Sequence, residues 1–135
     1  MQNAFDEIAR ALEAYFDGFH EGDVGKLEQI FAPCAHLYSA ANGALQDDPM
    51  DAVYARVRAR TAPAAKRQKR QDRIVTIDLA GPEMALAKVQ LAIGPKLFTD
   101  HLSLLRLEGR WRIISKTYTY VPIEVEVEPG AVAAE

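Results

Sequence analysis

Apolar residues in the first part of the chain recur three or four positions apart, which is the spacing of one face of a helix. This pattern predicts an amphipathic helix from Ala4 to about Phe19. Its apolar members are Phe5, Ile8, Ala9, Leu12, Tyr15, Phe16 and Phe19. Gly22 follows as a stop signal, and Asp23 is a natural N-cap for a short second helix that reaches about Phe31.

A strand and a third helix are predicted in the middle of the chain. Residues 35–39 are typical of a short strand, and residues 40–46 are typical of a loop. We expect Asp48 to cap a third helix that has Pro49 at its first position and ends near Arg60. The expected buried face of this helix consists of Met50, Val53, Tyr54 and Val57.

Strand and turn patterns alternate in the second half of the chain. Four strands are predicted, at residues 73–80, 84–93, 97–107 and 110–121, and glycine-containing turns separate them. Helices followed by strands are typical of the α+β class. We expect a cone-shaped, curved, mixed but mostly antiparallel sheet, with the three helices packed on its concave face and closing a cavity.

The composition fits one domain. The chain has 135 residues, of which 49% are hydrophobic and 26% are charged, so it can build a modest core. We assign the domain to residues 1–122. Residues 123–135 are expected to be an acidic tail that is partly disordered, with fraying beyond Glu128. Alternating apolar residues at the start of this tail are also compatible with a short edge strand.

Net charge and motif content limit the kinds of binding partner and the cellular compartment that we expect. The net charge is −3, and no apolar run approaches the roughly 18 residues of a membrane helix, so we expect neither a nucleic-acid nor a membrane partner. Asp6 and Glu7 do not fit a signal peptide, which favours a cytoplasmic protein. The single Cys34 is expected to be a small core residue. The histidines lack metal-site spacing, and we predict no metal and no cofactor.

A basic segment from Arg56 to Arg73 interrupts this acidic background. Eight of the 16 Lys and Arg residues lie there, opposed only by Asp72. The segment can be interpreted as an anion or nucleic-acid patch, or as a solvated helix end and loop. We favour the second interpretation, because no aromatic residues interleave for base stacking.

Asp100 is the most informative single residue. It lies within a predicted strand, and strand alternation places it on the same face as Phe98 and Leu102. An ionised carboxylate is costly to bury among apolar side chains unless it is paired or hydrogen-bonded, and otherwise it is protonated. Two interpretations therefore remain open: a buried ion pair, for which Lys116 on the next strand is the candidate, or a neutral acid that contacts a ligand.

The order of elements resembles one known superfamily. A long helix, Gly22-Asp23, a short helix, Phe31-Ala32-Pro33, a strand, a Pro49-led helix and four long strands are similar to the nuclear transport factor two-like superfamily, which has a cystatin-like fold. Residues 98–105 and 109–116 look most like its putative lumazine-binding branch. The superfamily also includes ketosteroid isomerases, scytalone dehydratase and SnoaL-type polyketide cyclases, so the resemblance is specific for fold and weak for function.

Through this resemblance, only part of an isomerase active site can be matched to residues of this chain. Ketosteroid isomerases hold a dienolate with a Tyr on the first helix and a protonated Asp on a strand, and these positions match Tyr15 and Asp100. The general-base Asp of those enzymes falls at Ser39, which cannot remove a carbon-bound proton. The resemblance therefore implies two oxyanion donors without a base.

We expect the protein to hold a small, flat, mostly apolar molecule inside the cone. The expected ligand contacts are Tyr15, His36, Tyr54, Phe98, Asp100, Lys116 and Tyr118. One alternative is an isomerase, dehydratase or cyclase that acts through an enolate, with Tyr15 and Asp100 as oxyanion donors. Another alternative is a non-catalytic homodimerisation module, since we also expect a homodimer through the outer face of the sheet.

Overall fold

Three α-helices and a six-stranded sheet form within residues 3–129, the part of the chain that the computed structural model describes. The helices are α1 (Ala4–Glu21), α2 (Val24–Ile30) and α3 (Met50–Ala59). The strands are β1 (Phe31–Ser39), β2 (Gln46–Pro49), β3 (Arg73–Ala80), β4 (Met84–Ile93), β5 (Lys96–Leu107) and β6 (Arg110–Pro122). A short 3-10 helix at Pro63–Lys66 follows α3. The predicted α+β class is confirmed.

The first two helices begin and end where the sequence predicts. The Asn3 side chain accepts a hydrogen bond from the backbone N–H of Asp6 at 2.9 Å and caps α1. Gly22 ends α1 in the left-handed region, with φ at 69°. Asp23 then caps α2 by accepting from the backbone N–H of Lys26 at 3.2 Å. The sharp link turns α2 back against α1.

The sheet is mixed and mostly antiparallel. Its strand order is β2-β1-β6-β5-β4-β3, and only the β1–β6 pairing is parallel within the described sheet. Register shifts interrupt the β1–β6, β3–β4 and β5–β6 ladders. Bulges of this kind bend strands and increase their twist, so they curve the sheet around the side that the helices cover.

The core fills the space between the helices and one face of the sheet. Its largest fully buried side chains include Ile8, Leu12, Tyr15, Leu27, Ile30, Phe31, Leu102, Leu104 and Ile113. Gly18 allows α1 and α2 to approach closely, because an added Cβ would lie 2.5 Å from Leu27 Cδ2 and 3.2 Å from the Leu27 backbone nitrogen. This contact sets the position of α2 relative to α1.

Three sequence predictions for residues 31–50 are wrong. The first strand begins at Phe31 and not at Ala35, and the β1–β6 register shifts between Phe31 and His36. Cys34 is therefore exposed in this irregular stretch, whereas a core position was predicted. The predicted loop ends in β2, so Asp48 is a strand residue and Pro49 is the N-cap of α3, without a side-chain cap. β2 was missed because it carries no apolar alternation.

A bulge in β6 reverses the predicted direction of one side chain. Ser103 pairs with Ser115 while Leu104 pairs with Ile113, which leaves Ile114 as the extra residue. Strict alternation placed Ile114 on the same face as Lys116. In the structure Ile113 and Lys116 are both buried, and Ile114 borders a cleft on the outer face of the sheet.

The segment after β6 pairs with the basic loop of the same chain. The backbone N–H of Lys69 donates to the Glu126 carbonyl at 2.8 Å, and that of Glu128 donates to the Arg67 carbonyl at 2.9 Å. The buried Gln68 side chain between them donates to the Gly94 carbonyl and accepts from the Gly94 N–H, each at 2.9 Å. The predicted fraying beyond Glu128 concerns residues 129–135. Of these, residues 130–135 lie outside the described part of the chain.

Gly18→Ala should lower the free energy of unfolding by about 1 to 3 kcal/mol, because its methyl group overpacks the buried contact with Leu27. Urea unfolding followed by circular dichroism measures this change. The control is Gly25→Ala on the exposed side of α2, where the added Cβ meets only Asp23 Oδ1, at 3.2 Å. Equal stability of the two variants would contradict the close-approach argument.

Candidate functional site

A cavity of about 210 Å³ lies between α3, the end of α1 and the inner face of the sheet. Its lining residues are Phe19, Leu37, Gln46, Val53, Arg56, Val57, Arg60, Ile93, Lys96, Phe98, Lys116, Tyr118 and Tyr120. Larger clefts border Trp111 (390 Å³) and the outer sheet face at Leu86 (410 Å³). The smaller cavity is the candidate site, because it lies beside a buried ion pair and is lined by four aromatic rings.

The buried carboxylate of Asp100 is held by two partners from different elements. The Tyr15 hydroxyl of α1 donates a hydrogen bond to Asp100 Oδ2. Lys116 Nζ of β6 lies 3.4 Å from the same oxygen. Asp100 and Tyr15 are fully buried, and Lys116 is 5% exposed. The ion pair that the sequence offered as one interpretation of Asp100 is present, while Asp100 Oδ1 has no hydrogen-bond partner.

Three aromatic rings surround the Lys116 ammonium group. Its Nζ lies 4.7 Å from the ring centre of Phe19, and 5.2 Å from those of Tyr15 and Tyr118. Cation–π attraction of this kind is strongest where the cation is desolvated. Burial lowers the pKa of Lys116, and the neighbouring Asp100 carboxylate opposes that shift. The cage and the carboxylate together keep an ammonium group in the core.

The Tyr15 hydroxyl remains protonated over a wide pH range. Burial raises the pKa of Tyr15 well above its ordinary value, and the adjacent Asp100 carboxylate raises it further. A protonated Tyr15 is a permanent donor to Asp100. In this structure the Tyr15 hydroxyl therefore donates its hydrogen bond to Asp100 and not to a ligand.

Arg56 of α3, Arg60 directly after α3 and Lys96 of β5 add positive charge to the cavity. Arg56 Nη1 lies 3.2 Å from Asp48 Oδ2, and Lys96 Nζ lies 4.4 Å from the ring centre of Tyr120. Arg60 Cζ lies 5.9 Å from the ring centre of Phe19, and Arg60 Nη2 is buried without a hydrogen-bond partner. Burial lowers the pKa of Arg60, as does the nearby Arg56. The cavity combines apolar walls with several cations.

The structure brings together five of the seven ligand contacts predicted from sequence. Phe98, Lys116 and Tyr118 line the cavity. Tyr15 and Asp100 lie directly behind Lys116, joined to it by the contacts described above.

Two of the predicted contacts lie elsewhere. His36 Nδ1 lies 2.6 Å from Asp47 Oδ1, and its ring stacks on Tyr38, so it does not line the cavity. Tyr54 borders a separate groove beside Arg112, where burial and the Glu28 carboxylate raise the pKa of Tyr54 to about 12. His36 lies on a face of β1, and Tyr54 lies on a face of α3, that does not line the cavity.

Sequence reasoning missed the cationic part of the site, although a pattern for it was present. Arg56 and Arg60 follow Val53 at i+3 and i+7, so they share the helix face that buries Val53 and Val57. The interpretation of the basic segment as a solvated helix end and loop places both arginines in solvent. Of that basic segment, Arg70 is indeed on the surface, where it pairs with Asp17 and Asp72. Lys96 and Tyr120 similarly follow the alternation of Phe98 and Tyr118.

Ser39 stands at the position that corresponds, through the sequence resemblance, to the general base of the ketosteroid isomerases. Ser39 is buried, and its Oγ accepts a hydrogen bond from the backbone N–H of Ala41 at 3.1 Å. A hydroxyl in this position is not a base. Within residues 3–129 no three His, Cys, Asp or Glu side chains gather as metal ligands, and no helix there has the length and hydropathy to span a membrane.

Fold and cavity together define a nuclear transport factor two-like protein, in which helices close the open side of a curved sheet. The family described as putative lumazine-binding matches residues 3–119. The chain therefore belongs to the putative lumazine-binding family. No curated protein matches the chain.

Solved structures have the same fold. An NTF-2 like protein of unknown function from Silicibacter pomeroyi is 26% identical, with a TM-score of 0.74 over 87% of this chain and 95% of that chain. An NTF2-like protein of unknown function from Shewanella baltica is 23% identical, with a TM-score of 0.80 over 90% and 99%. A ketosteroid isomerase-like protein from Erwinia carotovora atroseptica is 11% identical, with a TM-score of 0.68 over 90% and 98%. The last two likenesses concern the fold alone.

Asp100→Asn should lower the free energy of unfolding by about 3 to 5 kcal/mol, because it leaves the buried Lys116 cation without its counter-charge. Adding Lys116→Met to this variant should recover part of the loss. Urea unfolding of the two single variants and the double variant gives the coupling energy. Lys88→Met, on the outer face of β4, is the control. Additive effects of the two substitutions would contradict a stabilising ion pair.

The stabilising effect of the Tyr15 hydroxyl should depend on pH. Because the pKa of Tyr15 is raised on folding, its contribution is complete below the unfolded value of about 10 and falls as the pH rises above it. The difference in free energy of unfolding between wild type and Tyr15→Phe should therefore shrink between about pH 9 and about pH 11. Urea unfolding at both pH values measures it. If the difference in free energy of unfolding is the same at both pH values, the pKa of Tyr15 is not raised on folding.

Proposed function

We propose that the cavity between α3 and the sheet binds a small, flat molecule. The observation that carries this proposal is the lining of the cavity, in which Phe19, Phe98, Tyr118 and Tyr120 supply aromatic faces and Lys116 supplies a buried polar group. Ligand sites combine apolar walls with a few placed polar groups in this way. The name of the family is consistent with a planar heterocyclic ligand.

The volume of the cavity limits the size of its ligand. Pockets for drug-sized molecules enclose about 300–1,000 Å³. An engineered protein cavity of about 150 Å³ binds benzene. The 210 Å³ here therefore fits a single ring with one substituent better than a fused four-ring steroid.

Calorimetric titration with phenol, benzamide, uracil and lumazine tests this proposal. At least one of these probes should bind the wild-type protein with one site per chain. Ile93→Trp fills the cavity, because Ile93 is a lining residue, and it should abolish that binding. Ile114→Trp places the same bulk on the outer face of the sheet and should leave binding unchanged. Absence of binding by every probe, or equal binding by Ile93→Trp, would overturn the proposal.

A homodimer is a second proposal, and it is favoured by an apolar cleft on the outer face of the sheet. Met84 and Leu86 are 49% and 46% exposed there, beside Leu105 and Ile114. Exposed apolar patches of this kind mark interaction surfaces. The patch lies on the face opposite the helices, so a dimer formed through it leaves the cavity untouched.

Light scattering after size-exclusion chromatography should give twice the mass of one chain for the wild-type protein. Leu86→Lys should shift the protein to a monomer, since a charge at the centre of the patch opposes its burial. Thr76→Lys, an exposed position on neighbouring β3, controls for the added charge. A monomeric wild-type protein at all concentrations would contradict this proposal.

A further inference from the structure

The charges around the cavity point to a more definite ligand class. Resting on the ligand-binding function proposed above, we propose that the ligand is an anion: a single planar ring that carries a carboxylate, which the guanidinium group of Arg60 binds. Three features of the cavity support this ligand class: the charge of its lining, the buried Nη2 of Arg60, and the size of the space.

Within residues 3–129, the lining carries four cations and no carboxylate. The cations are Arg56, Arg60, Lys96 and Lys116. Asp48 pairs with Arg56 at 3.2 Å, and Asp100 pairs with Lys116 at 3.4 Å, so each of these carboxylates is already engaged with a cation. Two positive charges remain in excess around a small, partly apolar space. Such a cavity attracts anions and disfavours cations.

Arg60 and Lys96 are the two lining cations for which the described residues provide no anionic partner, and Arg60 is the more buried of the two. Arg60 Nη2 is buried, and no described residue accepts a hydrogen bond from it. A buried donor without an acceptor is destabilising, and more so when it is charged. The neighbours of Arg60 include a second cation, Arg56, and the ring of Phe19. The energetic cost of this arrangement is relieved when an acceptor of negative charge enters the cavity.

The position of Arg60 places the anion close to Lys116. Both cations lie near the ring of Phe19, with Arg60 Cζ at 5.9 Å and Lys116 Nζ at 4.7 Å from its centre. A carboxylate matches the planar fork of a guanidinium group, to which it binds through two parallel hydrogen bonds. The ring attached to it can then pack against Phe98 and Tyr118, which line the same cavity.

Benzoate and benzamide are the matched probes for this inference, because they have the same ring and nearly the same shape but differ in charge. Calorimetric titration at low salt should show benzoate binding at least about tenfold more tightly than benzamide. Arg60→Gln should weaken benzoate binding by about tenfold or more and change benzamide binding little. Arg58→Gln, an exposed position on the same helix, should leave both affinities unchanged.

Arg60→Lys and thermal unfolding separate binding from stability. Arg60→Gln should unfold at or above the wild-type temperature, since it removes a half-buried cation whose Nη2 has no hydrogen-bond partner among the described residues. Arg60→Lys keeps the charge without the fork, and it should bind benzoate more tightly than Arg60→Gln but less tightly than wild type.

The outcomes distinguish the two proposals. Equal binding of benzoate and benzamide, or unchanged benzoate affinity in Arg60→Gln, would overturn the anion inference while the ligand-binding function stands. Failure of benzoate to bind while a neutral probe binds would have the same meaning. Failure of all charged and neutral probes would overturn both.

Discussion

A single buried carboxylate connects the long helix α1 to β5 and β6, the two central strands of the sheet. Asp100 has no exposed surface, and its stabilisation requires a proton donor from α1 and a cation from β6 at the same time. An isolated charge in such a position costs several kcal/mol, so the three elements that supply Tyr15, Asp100 and Lys116 must pack together or not at all. The polar contact thereby ties the long helix to the centre of the sheet.

This arrangement also explains why the lining of the cavity is positively charged. The Tyr15 hydroxyl is hydrogen-bonded to Asp100 behind the wall of the cavity. Of the Asp100–Lys116 ion pair, only Lys116 lines the cavity. The α3 helix then adds Arg56 and Arg60 from the opposite side. In ketosteroid isomerases, as the sequence resemblance implies, the matching Tyr and Asp both donate to a ligand oxyanion. Here the Asp100 carboxylate accepts a hydrogen bond from Tyr15 and pairs with Lys116, and this arrangement is the basis of the anion binding proposed above.

The fold was predictable from the sequence because helical and strand periodicities were strong and turns carried glycine. The pairing of Asp100 with Lys116 was predictable in the same way, from alternation on neighbouring strands. Strict alternation failed at Ile114, since nothing in the local sequence marks a bulge. Propensity could not find β2, because its residues Gln46, Asp47 and Asp48 disfavour strands and are held only by pairing with β1. Arg60 was overlooked because charge at a helix end usually means solvent, although its spacing from Val53 indicated the buried face.

Carbon-13 NMR of protein labelled at the aspartate carboxyl groups, with Asp100→Asn to assign the signal, distinguishes the anion of a buried ion pair from a neutral acid. We expect the chemical shift of an ionised carboxylate for Asp100 at neutral pH, because Lys116 lies beside it as a counter-charge and Tyr15 donates a hydrogen bond to it. The shift of a neutral carboxylic acid would contradict this expectation. Asp100 would then be a donor, and the oxyanion interpretation of the site would become the better one.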